Sequence, residues 1–227
     1  MGYEHPILEE YTQVYFEVMM DIQTAYNEWS DSYDTNMNLT RDLDSNVTRS
    51  LLGGQRFESI LEIGSGTGKN TMFLAEIGNH VHALDFSTGM IARAKEKVKA
   101  ENVRFETADL IKHWPCDNNA YDLIVCCLVL EHIETLSPIF AEAHRVLRSS
   151  GKFLVNELHP FKQYGGTKAR FELADQTIEV DAFVHHISEF IHAAEEHGLK
   201  LEKFNEYWHE QDQGKPPRLA SFIFVKK

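Results

Sequence analysis

Three glycines at every second position, Gly64, Gly66 and Gly68, close the apolar run Ser59-Ile60-Leu61-Glu62-Ile63. A backbone without Cβ at such points turns tightly and lets a ligand lie against it, so a buried strand ending in this loop predicts nucleotide binding. The dinucleotide fingerprint needs its third glycine three residues after the second, and that position is Lys69. The phosphate loop of ATPases needs glycine at 63 and Ser or Thr at 70, where the chain has Ile63 and Asn70. Both pyrophosphate signatures therefore fail. Two carboxylates extend the pattern. Val81–Asp85 reads as a second strand whose terminal Asp85 stands 21 residues after Gly64, close to the ~20 expected of an acid that grips ribose hydroxyls. Ionised, it would repel a 2′-phosphate. Val103–Leu110 holds a third strand ending at Asp109, and Tyr121–Leu128 a fourth. Taken singly, each acid reads as a helix cap or a solvated loop residue. In this order they predict a cradle for a ribose-bearing ligand without a 2′-phosphate or pyrophosphate.

The combination Glu62-x-Gly64-x-Gly66-x-Gly68 resembles motif I of the class I S-adenosylmethionine (SAM) methyltransferases. Leu130-Glu131-His132-Ile133, the stretch Glu142–Arg148 followed by Gly151-Lys152, and Trp29 with Tyr33-Asp34 are similar to the small ubiquinone- and malonyl-carrier-type members, often called type 11 or type 12. The resemblance covers roughly residues 56–227. It implies that Glu62, Gly64, Ser65, Gly66 and Gly68 form the cofactor loop, and that Asp85 with Phe86 and Met90 holds the ribose side. Asp109 and Leu110 would take the adenine, Cys127 and Leu128 would lie under the methionine part, and Arg41 would pair with the methionyl carboxylate. The product would be S-adenosylhomocysteine (SAH). NAD-dependent oxidoreduction is the remaining cofactor alternative.

A sulfonium methyl transfers in line to a nucleophile, so the protein must hold acceptor and methyl about 3 Å apart in a dry cavity. An amine or hydroxyl acceptor also needs its proton removed. His132 after strand four, and Glu157 and His159 after strand five, are the candidates, because a doubly wound sheet binds ligands beyond the carboxyl ends of its strands. Each is equally readable as a cap or a structural hydrogen-bonding group. Tyr15, Trp29, Tyr33, Tyr164, Arg170, His185, His186 and Trp208 lie in segments outside the core and are candidates for the acceptor pocket. The segment 160–184 is too long for a plain connection and reads as a lid. A lidded cavity suits a small-molecule acceptor methylated at N, O or C. A peptide, a protein or a carrier-bound acyl group would need an open groove, and a module that binds SAM without turnover is the third reading.

These residues need a frame. Strands and helices alternate, which predicts an α/β, Rossmann-like doubly wound seven-stranded sheet, mostly parallel with a C-terminal antiparallel strand and an N-terminal helical cap. The expected single domain divides into a cap (1–55), a SAM-binding core (56–158), a lid and acceptor segment (159–185), and a last helix with the terminal hairpin (186–227). Residues 8–30 have an amphipathic helical pattern, Asn70–Ile77 reads as a helix stopped by Gly78, and Gly151–Leu158 as strand five. At 227 residues and 43% hydrophobic, the chain can bury a sizeable core. Net charge −13, with no basic cluster beyond the mixed run Arg93–Lys99, argues against a nucleic-acid partner; that run reads as a solvated helix face. No apolar run approaches the ~18 residues of a bilayer span, and no basic-plus-apolar leader is visible, which predicts a cytoplasmic protein. Twelve histidines and three cysteines show no metal-ligand spacing, so no metal is expected.

Overall fold

The computed structural model describes residues 22–35, 37–173 and 176–227; Tyr15 and the first part of the 8–30 pattern lie outside them. In chain order the elements are α1 (Ile22–Trp29), α2 (Leu39–Leu52), β1 (Phe57–Ile63), α3 (Thr71–Ile77), β2 (Gly78–Asp85), α4 (Thr88–Lys97), β3 (Val103–Thr107) and β4 (Tyr121–Cys127). Then follow α5 (Ser137–Val146), β5 (Leu147–Leu158), α6 (Pro160–Tyr164), β6 (Arg170–Leu173), β7 (Gln176–Glu179), α7 (Ile187–Glu196), β8 (Leu199–Tyr207) and β9 (Leu219–Lys226).

Seven strands form one sheet in the order β3-β2-β1-β4-β5-β9-β8. β1 to β5 pair in parallel, and β9 runs antiparallel to both β5 and β8. The chain leaves β1 toward β2 and later crosses back to β4 on the other side, so a crevice opens beyond the ends of β1 and β4, the switch point at which such sheets bind ligands. Both faces are buried because each strand is apolar at successive positions. Leu61, Ile124, Phe153 and Val155 face α5 and α7 through Phe140 and Phe190, whereas Ile60, Leu123, Val125 and Leu154 face α2 and α3 through Leu52 and Phe73. Cys126 joins the first group and Cys127 flanks the second, as adjacent strand residues must. The exposed edge strand β8 carries Lys200, Glu202, Lys203 and Glu206, charges that discourage pairing with another chain.

Three local features differ from the sequence reading. β2 starts at Gly78, directly after α3, because Phe57 already pairs with Gly78. β5 starts at Leu147, which pairs with Tyr121 before the register shifts at Leu123, and Ser150 (φ 63°) turns the chain there. The segment 160–184 contains a two-stranded hairpin, β6–β7, tied at its base by the Val180 N–H donating to the Ala169 carbonyl. Its Val180 and Ile178 pack against Ala25 and Trp29 of α1.

α1 is itself pinned over the crevice by polar contacts. The Asn27 side-chain oxygen accepts from Ser87 Oγ (2.7 Å) and the Gly89 N–H (3.1 Å), and Gln23 Nε2 donates to the Phe86 carbonyl (2.6 Å). Arg93 and Lys97, read as solvated cations, pair with Asp31 and Asp34 across the α1–α4 contact.

Candidate cofactor and acceptor site

The loop after β1 meets the loop after β4 at Gly64. Its φ is +74°, and a Cβ there would stand 2.1 Å from Val129 Cγ2, so only glycine lets the two loops touch. Gly66 (φ +52°) is different: a Cβ there meets nothing within 4 Å, and the residue lines a cavity. Asp85 fixes this edge, its Oδ2 accepting from the Gly66 N–H (2.8 Å) and its Oδ1 from the Ser87 N–H (2.9 Å). Burial pushes its pKa up to about 6, against the opposing pull of those N–H groups.

The first cavity, about 440 Å³, runs from Gly64 and Gly66 past Asp85 to Asp109 and Leu110, and is closed by Cys127 and Leu128. Phe86, Met90, Leu110 and Ile111 supply apolar wall. Of the described residues lining it, Lys112 is the only cation, and it pairs with Asp109 (3.1 Å). Open backbone at Gly66, a buried carboxylate for ribose hydroxyls and apolar planes without phosphate-binding cations fit an adenosine that bears no phosphate.

A second cavity of about 440 Å³ adjoins it, the two sharing Tyr26, Tyr33 and Leu128 as wall. Leu128 has φ +58° and its N–H donates to the Asn156 carbonyl, which turns the chain so that one leucine faces both spaces. Trp29, Tyr33 and Arg170 line the second cavity. His132 stands at the first. Its Nδ1 donates to the Asp181 carbonyl (2.9 Å), because a carbonyl can only accept, and burial lowers its pKa so that the ring is neutral. Nε2 therefore accepts from the Tyr26 hydroxyl at 2.7 Å. Glu131, on the preceding position, lines the second cavity; desolvation pushes its carboxyl up to about 7.

Several expected site residues are elsewhere. Glu62 lies beneath the loop, accepting from the Thr71 hydroxyl, and Ser65 and Gly68 also stay off the cavity wall. Arg41 lines the second cavity, not the first: its guanidinium donates to the Tyr33 carbonyl and lies 4.1 Å from the Tyr33 ring centre. Glu157 reaches neither space. Its Oε1 accepts from the Val129 and Leu130 N–H groups (3.0 and 2.8 Å), so it positions the loop after β4 and is no proton acceptor for a ligand. His159 caps α6, Nδ1 accepting from the Phe161 N–H and Nε2 donating to Glu206. His185 donates to the Ile133 carbonyl and His186 bonds Tyr164, while Trp208 donates to the Lys215 carbonyl within its own loop; none of these four side chains lines either cavity. Tyr26 and Glu131 were not singled out in the sequence. The run Leu130-Glu131-His132 was the available signal for Glu131, whereas Tyr26 was one aromatic among several on an amphipathic helix.

Burial pushes Glu62 and Glu157 up to about 8. The folded protein thus holds protons that the unfolded chain releases near 4.5, so this stability is present at low pH and lost as pH rises through about 8. Between pH 7 and 8, above the titration of unfolded histidine, the thermal midpoint of the ligand-free protein should fall, at up to ~1.4 kcal/mol per unit for each group. Glu62→Gln should shallow that slope in scanning calorimetry. A midpoint that holds constant or rises over the interval contradicts the assignment.

The switch-point cradle and the glycine loop belong to the Rossmann-like fold of the class I SAM-dependent methyltransferases, and the residues of the first cavity fit SAM as a cofactor. The comparisons agree. Residues 61–155 match the family model described as a methyltransferase domain. The chain is 30% identical over 137 residues to a malonyl-[acyl-carrier protein] O-methyltransferase of Hamiltonella defensa subsp. Acyrthosiphon pisum, covering 60% of this chain and 52% of that protein. It is 29% identical over 148 residues to a demethylmenaquinone methyltransferase of Tropheryma whipplei (strain Twist), covering 62% of this chain and 60% of that protein. The aligned part thus spans little more than half of either relative. The fold superposes on an S-adenosylmethionine dependent methyltransferase from Mesorhizobium loti with a TM-score of 0.69 at 18% identity, over 83% of this chain and 100% of that one. Among the described residues no helix is long and apolar enough to cross a membrane, and no group of three or more His, Cys, Asp or Glu is placed to hold a metal.

Proposed function

We propose that the protein transfers a methyl group from SAM to a small-molecule acceptor seated in the second cavity. The observation that carries this reading is the wall shared by two cavities of equal volume, Tyr26, Tyr33 and Leu128, since methyl transfer needs donor and acceptor to meet across such a boundary. SAM, when bound, supplies an electrophilic methyl on its sulfonium. Asp85 holds the ribose side, Asp109 the adenine side, and Leu128 orients the junction. The hairpin β6–β7, packed on α1, excludes water from the acceptor, the role of a lid. Glu131 receives the proton of an N–H or O–H acceptor, its pKa near neutrality being suited to that task. His132, held from both sides, keeps Tyr26 in place.

A carrier-bound acyl substrate is the second reading, supported by the malonyl-[acyl-carrier protein] O-methyltransferase relative. A screen for SAH release from SAM with amines, phenols, carboxylates, peptides and acyl-carrier conjugates separates the two. The small-molecule reading expects turnover with at least one free small acceptor. Turnover confined to peptides or carrier conjugates overturns it, and tight SAM binding with no SAH from any class indicates a non-catalytic module.

A further inference from the structure

The second cavity carries charge that methyl transfer alone does not use. In a chain of net charge −13, its wall holds Arg41, Lys168, Arg170 and Arg218 against two carboxylates, Glu131 and Glu179. Three of the cations belong to elements that form the cavity beyond the shared wall: Lys168 and Arg170 lead into the hairpin, and Arg218 precedes β9. None of these three lines the first cavity.

They differ in how they are held. Arg218 is rigid: Nε and Nη2 donate to the two oxygens of the fully buried Asp212 (2.6 and 2.8 Å), and Nη1 to Thr40 Oγ1 (3.0 Å). Asp212 also accepts from Lys162 (3.2 Å), so two cations share one buried carboxylate and the cluster keeps a positive charge. Lys168 is loosely paired, 3.8 Å from Glu179. Arg170 has no carboxylate within ion-pair distance among the described residues. A half-enclosed cavity with one fixed and two adjustable cations favours a negative ligand, because charge-assisted hydrogen bonds are about twice as strong as neutral ones and the surrounding field attracts anions.

We infer that the acceptor carries an anionic group, a carboxylate or a phosphate, which Lys168, Arg170 and Arg218 bind while its nucleophile faces the shared wall at Tyr26 and Leu128. This rests on the methyl-transfer reading for the second half of the statement only; the anion site stands by itself. A neutral acceptor would leave the Arg170 guanidinium to water. An anion completes it and sets the acceptor's orientation by attaching one end.

The test uses the full chain saturated with SAH and three probes that differ in charge: phenyl phosphate, phenylacetate and phenylacetamide, titrated calorimetrically at low salt. At least one anion should bind tenfold or more tighter than the amide, about 1.4 kcal/mol, with that margin shrinking as salt is raised. Tighter binding of phenyl phosphate assigns a phosphate, and tighter binding of phenylacetate a carboxylate. Arg218→Gln would leave Asp212 with Lys162 alone and endangers folding, so the substitutions are Lys168→Gln with Arg170→Gln, both exposed. This double variant should lose the preference about tenfold and keep its SAH affinity. An amide that binds as well as both anions, or anion binding unchanged in the double variant, overturns the inference. If anions bind as stated but no acceptor of any charge releases SAH, the methyl-transfer reading falls and the anion site remains.

Discussion

Asp85→Ala should weaken SAH binding by about a hundredfold or more, the largest single effect on cofactor affinity in this chain. In the proposed site the carboxylate would accept both ribose hydroxyls. Hydrogen bonds to a charged group contribute ~1.5–3 kcal/mol each, and two of them amount to two or more decades in the dissociation constant. The Gly66 and Ser87 N–H groups, which Asp85 now accepts, would also lose their partner and loosen the loop. Asp85→Asn isolates the charge, since an amide oxygen still accepts one bond. The sign of the pH dependence follows from the pKa of about 6 in the free protein. Hydroxyl donors stabilise the ionised form, so bound cofactor lowers this pKa. Affinity is then full above pH 6 and declines toward tenfold per unit below it. Calorimetric titration of SAH between pH 5 and 8 measures both effects. The Asn variant should flatten the acid limb; an affinity in the native protein that ignores pH over this range would refute the role.

Glu131→Gln should lower turnover of an amine or hydroxyl acceptor by about 10²–10⁴-fold, the usual contribution of a positioned general base, and leave SAH affinity within about twofold. Glu131 lies in the second cavity and its pKa is raised to about 7, so kcat/KM should climb with pH and level off above 7 as the carboxylate forms. The Gln variant should lose that rise. His132→Ala should also reduce turnover with little change in SAH affinity, by releasing Tyr26 from the shared wall, but should leave the pH profile in place. The two variants therefore differ in the profile and not only in rate. A Gln variant that retains the native pH dependence would exclude Glu131 as the proton acceptor; equal loss of SAH affinity in the Asp85 and His132 variants would refute the separation of cofactor and acceptor roles.

Much of the cofactor half was legible before any coordinates. Gly64 and Gly66 stand where the periodicity of β1 stops, and Asp85 and Asp109 where the next strands end. A parallel sheet with right-handed crossovers brings consecutive strand ends to one edge whatever the remaining sequence does. Local pattern and global position are therefore the same information there. The exceptions are instructive. Glu62 belongs to the motif but precedes the turn, so it points beneath the loop to Thr71. Glu131 and Glu157 are both acids beside the crevice, and only the left-handed turn at Leu128 and the loop built on it direct the first into the second cavity and the other under the backbone.

The acceptor side is another matter. Tyr26, Arg41, Arg170 and Arg218 come from four segments separated by up to 192 positions, and no spacing between them announces a shared cavity. Their meeting depends on α1 docking through Asn27 onto the loop after β2, and on the β6–β7 hairpin folding back on α1 through Val180. Such contacts are fixed by packing between distant segments, for which no spacing rule exists. By itself the sequence determined the sheet, the glycine loop and the two acids that line the first cavity, because strand periodicity and crossover handedness act locally. Only the tertiary structure decided which acids are buried supports, which residues line the second cavity and what charge its wall carries, because those depend on the direction each side chain takes once remote elements close around it.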